Sequence, residues 1–183
     1  MTLANGPAWT AGRVGSAALS FDGVNDYARN ANFSWPTGGA VTVSFWVNTP
    51  GGTNGGAFSV GGQNAPNRFS AHVPWPDNML YWDYGDFNGT GRVSTNCAPY
   101  LNQWTHVALV SGGNGGAFKG IYINGILVAS GTVSDGPDIP LTGINVGRIL
   151  IGTTSYWHKG QLDDVQIYNR VLTPTEIVAL ASR

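Results

Sequence analysis

The sequence predicts an all-β protein: two antiparallel sheets packed face to face as a sandwich of jelly-roll type, with a short helical turn at the C-terminus. Three observations carry that prediction. Short runs of alternating apolar and polar residues recur along the chain, glycine-, proline- and asparagine-rich turns separate them, and helix-start chemistry occurs once, near the end. A chain of 183 residues with 42% hydrophobic residues can fill one substantial core, so a single domain over residues 1–183 is expected.

Ala17, Leu19 and Phe21 alternate with Ala18, Ser20 and Asp22 and then break at Asp22-Gly23, a half-buried strand entering a tight turn. Val41-Thr42-Val43-Ser44-Phe45-Trp46-Val47-Asn48 sets Val41, Val43, Phe45 and Val47 on one face and reads as a central core strand. Residues 51–62 are a glycine-rich loop around Ala57-Phe58-Ser59-Val60, and residues 68–73 alternate weakly before Pro74. Met79-Leu80-Tyr81-Trp82-Asp83-Tyr84, Trp104-Thr105-His106-Val107-Ala108-Leu109-Val110 and Lys119-Gly120-Ile121-Tyr122-Ile123 are further strands. Asn124-Gly125 supplies the two left-handed residues of a type I′ turn, which makes 118–130 a hairpin. Ile144-Asn145-Val146-Gly147-Arg148 is short, and residues 160–168 read as a closing strand. Thr173-Pro174-Thr175-Glu176 then combines an N-cap threonine, a proline at the first helical position and a glutamate three residues on. The total is about ten to twelve short strands.

Charge excludes several functions. Only 10% of residues are charged, against about 25% in typical soluble domains, and the net charge is -1. Two lysines, Lys119 and Lys159, and seven arginines scattered along the sequence make no basic patch, which argues against nucleic acid. No run approaches the ~20 apolar residues of a membrane span, and the first residues have neither the basic start nor the apolar core of a signal peptide. The single cysteine, Cys97, excludes an intrachain disulfide and reads as a small buried hydrophobe or a free thiol. Asn32-Phe33-Ser34 and Asn88-Gly89-Thr90 match the glycosylation acceptor pattern, which has meaning only in a secretory pathway.

Within the closing strand, regular alternation puts Asp163 on the face of Val165 and Ile167, with Leu162, Asp164, Gln166 and Tyr168 opposite. A carboxylate on an apolar face must be hydrogen-bonded, paired or metal-bound.

The order of these motifs resembles a known family. Ala18-Leu19-Ser20-Phe21-Asp22-Gly23 with Asn25-Asp26-Tyr27, Val43-Ser44-Phe45-Trp46-Val47, Trp104-Thr105-His106-Val107-Ala108, Ile121-Tyr122-Ile123-Asn124-Gly125, Val146-Gly147 and Leu162-Asp163-Asp164-Val165-Gln166-Ile167-Tyr168-Asn169-Arg170 with Leu172 and Glu176 together resemble the laminin-G-like domains of the concanavalin A-like jelly-roll lectin/glucanase superfamily. The resemblance covers most of the chain. It implies two curved sheets whose terminal strands are neighbours, which would bring Asp22 toward Asp163 and Asp164. It also implies a mostly non-catalytic module of the carbohydrate-binding, adhesive or spacer kind, found on extracellular enzymes, cell surfaces and virions, with a structural calcium in some members.

Asp22, Asn25, Asp26, Asp163 and Asp164 are hard oxygen ligands suited to such a structural Ca²⁺, if the terminal strands pair. The other reading is that Asp22 caps its own turn and Asp163 accepts backbone or tryptophan N–H bonds. Sugars pack their apolar faces on aromatic rings while amides and carboxylates take the hydroxyls, and the densest such stretch offers Trp75, Asp77, Asn78, Tyr81, Trp82, Asp83 and Tyr84. Trp75, between two prolines, is the best exposed platform, and Tyr81 and Trp82 must face opposite ways. Tyr156 and Trp157, in a loop, are a second candidate. Catalysis is not expected: the only glutamate is Glu176, and nothing links His72, His106 and His158 into a constellation. The expectation is a non-catalytic module, extracellular or surface-exposed, that recognises a polysaccharide or glycan. The alternative is a structural or display protein, such as a virion decoration or tail component, that binds another protein.

Overall fold

The computed structural model describes the chain except residues 63, 65, 88–90, 117 and 132–135, so the acceptor triplet at 88–90 lies outside the described residues. Among the described residues sixteen strands and one α-helix form. In chain order the first nine strands are β1 (Thr2–Ala4), β2 (Ala8–Thr10), β3 (Ala18–Asp22), β4 (Tyr27–Trp35), β5 (Val41–Asn48), β6 (Gly56–Val60), β7 (Arg68–His72), β8 (Met79–Gly85) and β9 (Arg92–Asn96). They are followed by β10 (Thr105–Ser111), β11 (Lys119–Ile123), β12 (Ile126–Gly131), β13 (Leu141–Val146), β14 (Arg148–Ile151), β15 (Thr154–Trp157), β16 (Lys159–Tyr168) and α1 (Pro174–Ala181). None of the described helices is long and apolar enough to cross a membrane.

The strands build two seven-stranded antiparallel sheets, as expected. One runs β1-β4-β13-β6-β7-β8-β9 and the other β12-β11-β10-β5-β16-β3-β2, with β14 and β15 as a separate hairpin. Alternation decides which side chains meet between them: Val43, Phe45 and Val47 of β5 and Val107 and Leu109 of β10 pack against Phe58, Phe69, Leu80 and Trp82 of the opposite sheet. The strand read as central, β5, does lie mid-sheet between β10 and β16. Its sheet is covered on the outside too, where Ile177 and Leu180 of α1 pack on Ala108, Val110 and Tyr122. The helix starts where its sequence says: Thr173 accepts from the Glu176 N–H at 3.3 Å while the Glu176 carboxylate accepts from the Thr173 N–H at 2.8 Å. The β11–β12 turn likewise has Asn124 at φ 50 and Gly125 at φ 82.

The closing strand departs from regular alternation. Asp163 stands opposite Trp46, but the next paired residue is Gln166 opposite Ser44, and Asp164 between them has φ 47. This bulge changes the phase of the strand, so that Leu162, Val165 and Ile167 all reach the core. Asp163 therefore does not share a face with Val165 and Ile167. It lies under the N-terminal loop and accepts three backbone N–H bonds, from Arg13 at 2.7 Å, Val14 at 2.8 Å and Asp164 at 2.7 Å. The Arg13 guanidinium stands 4.6 Å over the Trp46 ring beside it.

Replacing Asp163 removes the acceptor of three part-buried backbone donors, each of which costs up to about 1–3 kcal/mol where water does not replace the lost bond. Asp163→Ala is expected to lose about 2–4 kcal/mol in urea unfolding. Asp164→Asn, which keeps a side chain tolerant of positive φ and removes a surface ion pair, is expected to lose less than about 1 kcal/mol. Equal losses in the two variants would refute this role for Asp163.

Candidate functional site

β7, β8 and β9 lie side by side at one end of the first sheet. Phe69 and Ala71 of β7 and Leu80, Trp82 and Tyr84 of β8 point into the core. The intervening residues therefore face outward, and the register sets Ser70 opposite Asp83 opposite Arg92, and His72 opposite Tyr81. This outer face is not open to solvent: every residue of β7 is buried. The β14–β15 hairpin covers one side, packed so closely on β6 that a Cβ at Gly56 would lie 2.5 Å from the Tyr156 carbonyl and 2.6 Å from the Ile149 nitrogen. What remains open is a cleft of about 220 Å³ lined by Arg68, His72, Trp75, Tyr81, Phe87, Arg92, Ile151 and Tyr156.

Its walls are rings. His72, Trp75 and Tyr156 form one cluster, with centroids 4.5 Å apart for His72 and Trp75 and 5.2 Å for Trp75 and Tyr156. Trp75 is half-buried in a turn closed by its own N–H to the Met79 carbonyl and by the Asn78 N–H to the Trp75 carbonyl, both 2.8 Å. Opposite, Arg68 stands 4.5 Å over the Phe87 ring and Arg92 stands 4.6 Å over Tyr81.

The floor is polar. Asp83, with no exposed side-chain surface, receives both arms of Arg92, Nε to Oδ1 at 2.6 Å and Nη2 to Oδ2 at 2.7 Å. Burial works against the charge on Arg92, but those two bonds outweigh it and its pKa is raised. Burial depresses Arg68 and pushes His72 down to about 4, so His72 is neutral near pH 7. Arg68 Nε, Ser70 Oγ and His72 Nδ1 are all buried with no hydrogen-bond partner among the described residues.

Of the nine expected ligand residues, Trp75, Tyr81 and Tyr156 meet in this cleft. Asp83 lies beneath it and holds Arg92. Asp77 and Asn78 build the adjoining turn: Asp77 accepts from the Met79 N–H at 2.9 Å and the Tyr81 hydroxyl at 2.7 Å, and Asn78 accepts from the Gly52 N–H at 2.9 Å. The Tyr81 hydroxyl lowers the Asp77 pKa, and the Asp77 carboxylate raises that of Tyr81. Trp82 and Tyr84 are core residues instead, because the alternation that points Tyr81 outward points them inward; the Tyr84 hydroxyl is closed between Trp35 Nε1 and the Gly39 carbonyl. Tyr156 and Trp157 lie on strand β15 rather than in a loop, and Trp157 packs elsewhere, 5.9 Å from Tyr27. Sequence reasoning missed Arg68, His72, Phe87, Arg92 and Ile151 as lining. The available signal was the spacing of Arg68, Ser70 and His72, which shares one face in any strand.

The five expected calcium ligands do not gather. β3 and β16 are neighbours, but Asp22 pairs with Lys159, four residues from Asp163. Asp22 caps its own turn, accepting from the Val24 N–H at 2.7 Å and the Asn25 N–H at 3.4 Å, while Asp26 Oδ2 accepts from the Asp22 N–H at 3.2 Å. Asp163 is occupied by backbone, and Asp164 by Arg183 at 3.0 Å and Gln166 at 2.6 Å. No group of three or more His, Cys, Asp or Glu residues able to hold a metal occurs among the described residues. Cys97 is a buried thiol, raised to about 11 by burial, and donates to the Asn78 carbonyl at 3.0 Å.

A family profile described as the concanavalin A-like lectin/glucanases superfamily matches residues 22–178. No curated protein sequence matches the chain. Among solved structures, the botulinum neurotoxin serotype G binding domain is similar with a TM-score of 0.71 at 18% identity, over 99% of this chain and 46% of that one. The chain thus spans about half the length of that toxin domain. The SAP-like pentraxin from Limulus polyphemus gives 0.67 at 22% identity, over 90% and 81% of the two chains. Domain 4 of AbnA, an extracellular arabinanase from Geobacillus stearothermophilus solved with arabinotriose, gives 0.66 at 24% identity, over 97% and 82%. At these identities the likeness is one of fold.

Burial leaves a mark on acid stability. His72, His106 and His158 are each pushed down to about 4 by burial from an ordinary value of 6.5. Between those values the unfolded chain binds more protons than the folded one, so the histidines make stability fall as pH falls through the window, and their contribution levels off below it. The expected slope is up to about 1.4 kcal/mol per pH unit for each histidine, read from urea midpoints between pH 7 and 4. His72→Gln should remove about a third of it; a flat profile would show that the histidines are not held neutral.

Proposed function

The chain belongs to the laminin-G-like family of the concanavalin A-like lectin/glucanases superfamily, and from that footing we propose that it is a non-catalytic module that binds a polysaccharide or glycan in the Trp75–Tyr156 cleft. The observation that carries this is the pairing of a ring wall with unpaired polar atoms below it. Trp75 and Tyr156 offer apolar faces for a sugar ring, while His72 and Arg68, which line the same cleft, carry polar atoms with no hydrogen-bond partner among the described residues. A volume of about 220 Å³ is smaller than the roughly 300–1,000 Å³ that hold drug-sized ligands, so the cleft suits one sugar residue of a chain or its end. The arabinanase domain solved with arabinotriose and the toxin binding domain support binding as the role of this fold. On this reading the module works outside the cell or on a surface, where polysaccharides are met.

The carboxylates support a non-catalytic reading. Glycoside hydrolysis needs two of them flanking the scissile bond. Asp83 is buried and held by Arg92, Asp77 is held by Tyr81 and Met79, and Glu176 is bound to Arg170 at the start of α1. A protein-binding structural role draws on another place, the edge strand β12, where Ile126, Leu127 and Val128 are exposed. Concentration-dependent self-association in sedimentation, abolished by Ile126→Lys, would favour that role.

Against a panel of immobilised polysaccharides, the protein is expected to retain a specific subset and to release no new reducing ends from it. Trp75→Ala and Tyr156→Ala should each weaken that binding about tenfold or more, through lost ring contact. Trp157→Ala, outside the cleft, should leave it unchanged. Retention by Trp75→Ala and Tyr156→Ala at wild-type affinity would refute the site.

A further inference from the structure

Arg68 is only 7% exposed, yet no hydrogen bond or ion pair reaches its guanidinium among the described residues. The Phe87 ring holds one side of it. The carboxylate that acts on it, Asp83, already takes both arms of Arg92. Two guanidiniums therefore share one buried carboxylate, with His72 uncharged beside them. On the other elements around the cleft, Asp77 is engaged by Tyr81 and Met79, Asp86 has a partner of its own, and the covering hairpin contributes Ile151 and Tyr156. A buried cation that has only a share of one carboxylate among the described residues has room for a second counter-ion, and a guanidinium fork matches an oxyanion better than it matches hydroxyls.

The neighbouring surface carries the same sign. A second cleft of about 140 Å³ shares β14 as a wall and is lined by Arg29 and Arg148. Arg148 is fixed 4.0 Å over the Tyr27 ring, with one bond to Asn145 Oδ1 at 2.9 Å and a buried Nε that has no partner among the described residues. Four of the seven arginines thus line two clefts on one face of the first sheet, although they are scattered in the sequence.

We propose that the ligand is an acidic polysaccharide, and that Arg68 binds the oxyanion, uronate carboxylate or sulfate, of the sugar residue seated in the Trp75–Tyr156 cleft. This rests on the glycan-binding reading above and narrows it to a ligand class. The oxyanion would take the free arms of Arg68 while its sugar ring packs on the aromatic wall.

The test uses wild-type protein and matched polymers that differ only in charge: oligogalacturonate against its methyl ester, and dextran sulfate against dextran, by calorimetry at fixed salt. Binding about tenfold or more tighter to the charged member of either pair supports the proposal, and the pair that responds assigns the oxyanion. Arg68→Met should then erase the difference between the two members. Arg68→Lys, which keeps the charge and loses the fork, should retain only part of it. Should Arg68→Met fail to fold, competition of oligogalacturonate by free galacturonate but not by galactose on the wild-type protein reads the same preference. Neutral and charged polymers bound equally, with binding still lost in Trp75→Ala, would overturn the acidic class and leave the glycan site standing. No binding to any polysaccharide would overturn both, and retention of single-stranded oligonucleotide alone would replace them with a different polyanion.

Discussion

The fold turns on a carboxylate that has little solvent to share. Asp163 sits where the N-terminal loop crosses the closing strand, and the three N–H groups it collects come from Arg13, Val14 and Asp164. One of these is its own neighbour, and that bond goes with a turn of the chain through positive φ at Asp164. The bulge is thus the local consequence of satisfying the carboxylate. Its wider consequence is one of phase: because the strand slips by one residue there, Leu162 before it and Val165 and Ile167 after it all face the core. Close packing around the loop leaves room for little else, since a Cβ at Gly12 would lie 2.9 Å from Asp163 Oδ2.

The opposite sheet solves a similar problem only in part. Asp83 is as deeply buried as any charged group in the protein and is satisfied by Arg92 through a fork. That settles Asp83 but leaves Arg68 and the polar atoms of Ser70 and His72 short of partners on the same surface. A structural network would be complete, because a half-satisfied buried network is less stable than an apolar one. Other buried polar atoms also go without a partner among the described residues, Trp46 Nε1 and both ring nitrogens of His158 among them, but at Arg68 and His72 the shortfall meets an open cleft beside aromatic rings, and the proposed binding role rests on that combination.

Local chemistry was legible in the sequence, and register was not. The Asn124-Gly125 turn, the Thr173–Glu176 capping box, the central strand 41–48 and the opposition of Tyr81 and Trp82 each depend on residues within about one turn or one strand of each other, and each reads directly. The bulge at Asp164 has no local marker, since an Asp-Asp pair inside an alternating strand looks regular until its backbone partners are known. β4 was hidden by its composition, for Arg29-Asn30-Ala31-Asn32 has weak strand preference and is held by pairing with β1 and β13 on either side. The arginines are the clearest case. Arg68 and Arg92 stand close to Asp83 only through the β7–β8–β9 register, and Arg148 reaches their face through a hairpin far along the chain.

Site and scaffold are also coupled in rigidity. Trp75 stands on a turn closed by two backbone hydrogen bonds, Tyr156 on a hairpin seated against Gly56, and Arg68, His72 and Tyr81 on paired strands whose other faces carry core residues. Few side chains here have freedom left to lose, so a ligand would meet the cleft already ordered and the entropic cost of binding would fall mainly on the ligand. The same rigidity explains why a guanidinium with no hydrogen-bond partner among the described residues persists. Arg68 cannot swing into solvent, because Phe87 and the burial of β7 hold its stem, and it cannot take Asp83 from Arg92 without breaking a bidentate pair. The unfavourable state is retained by the surrounding packing, and the proposed oxyanion, entering from outside, would relieve it without moving any of that packing.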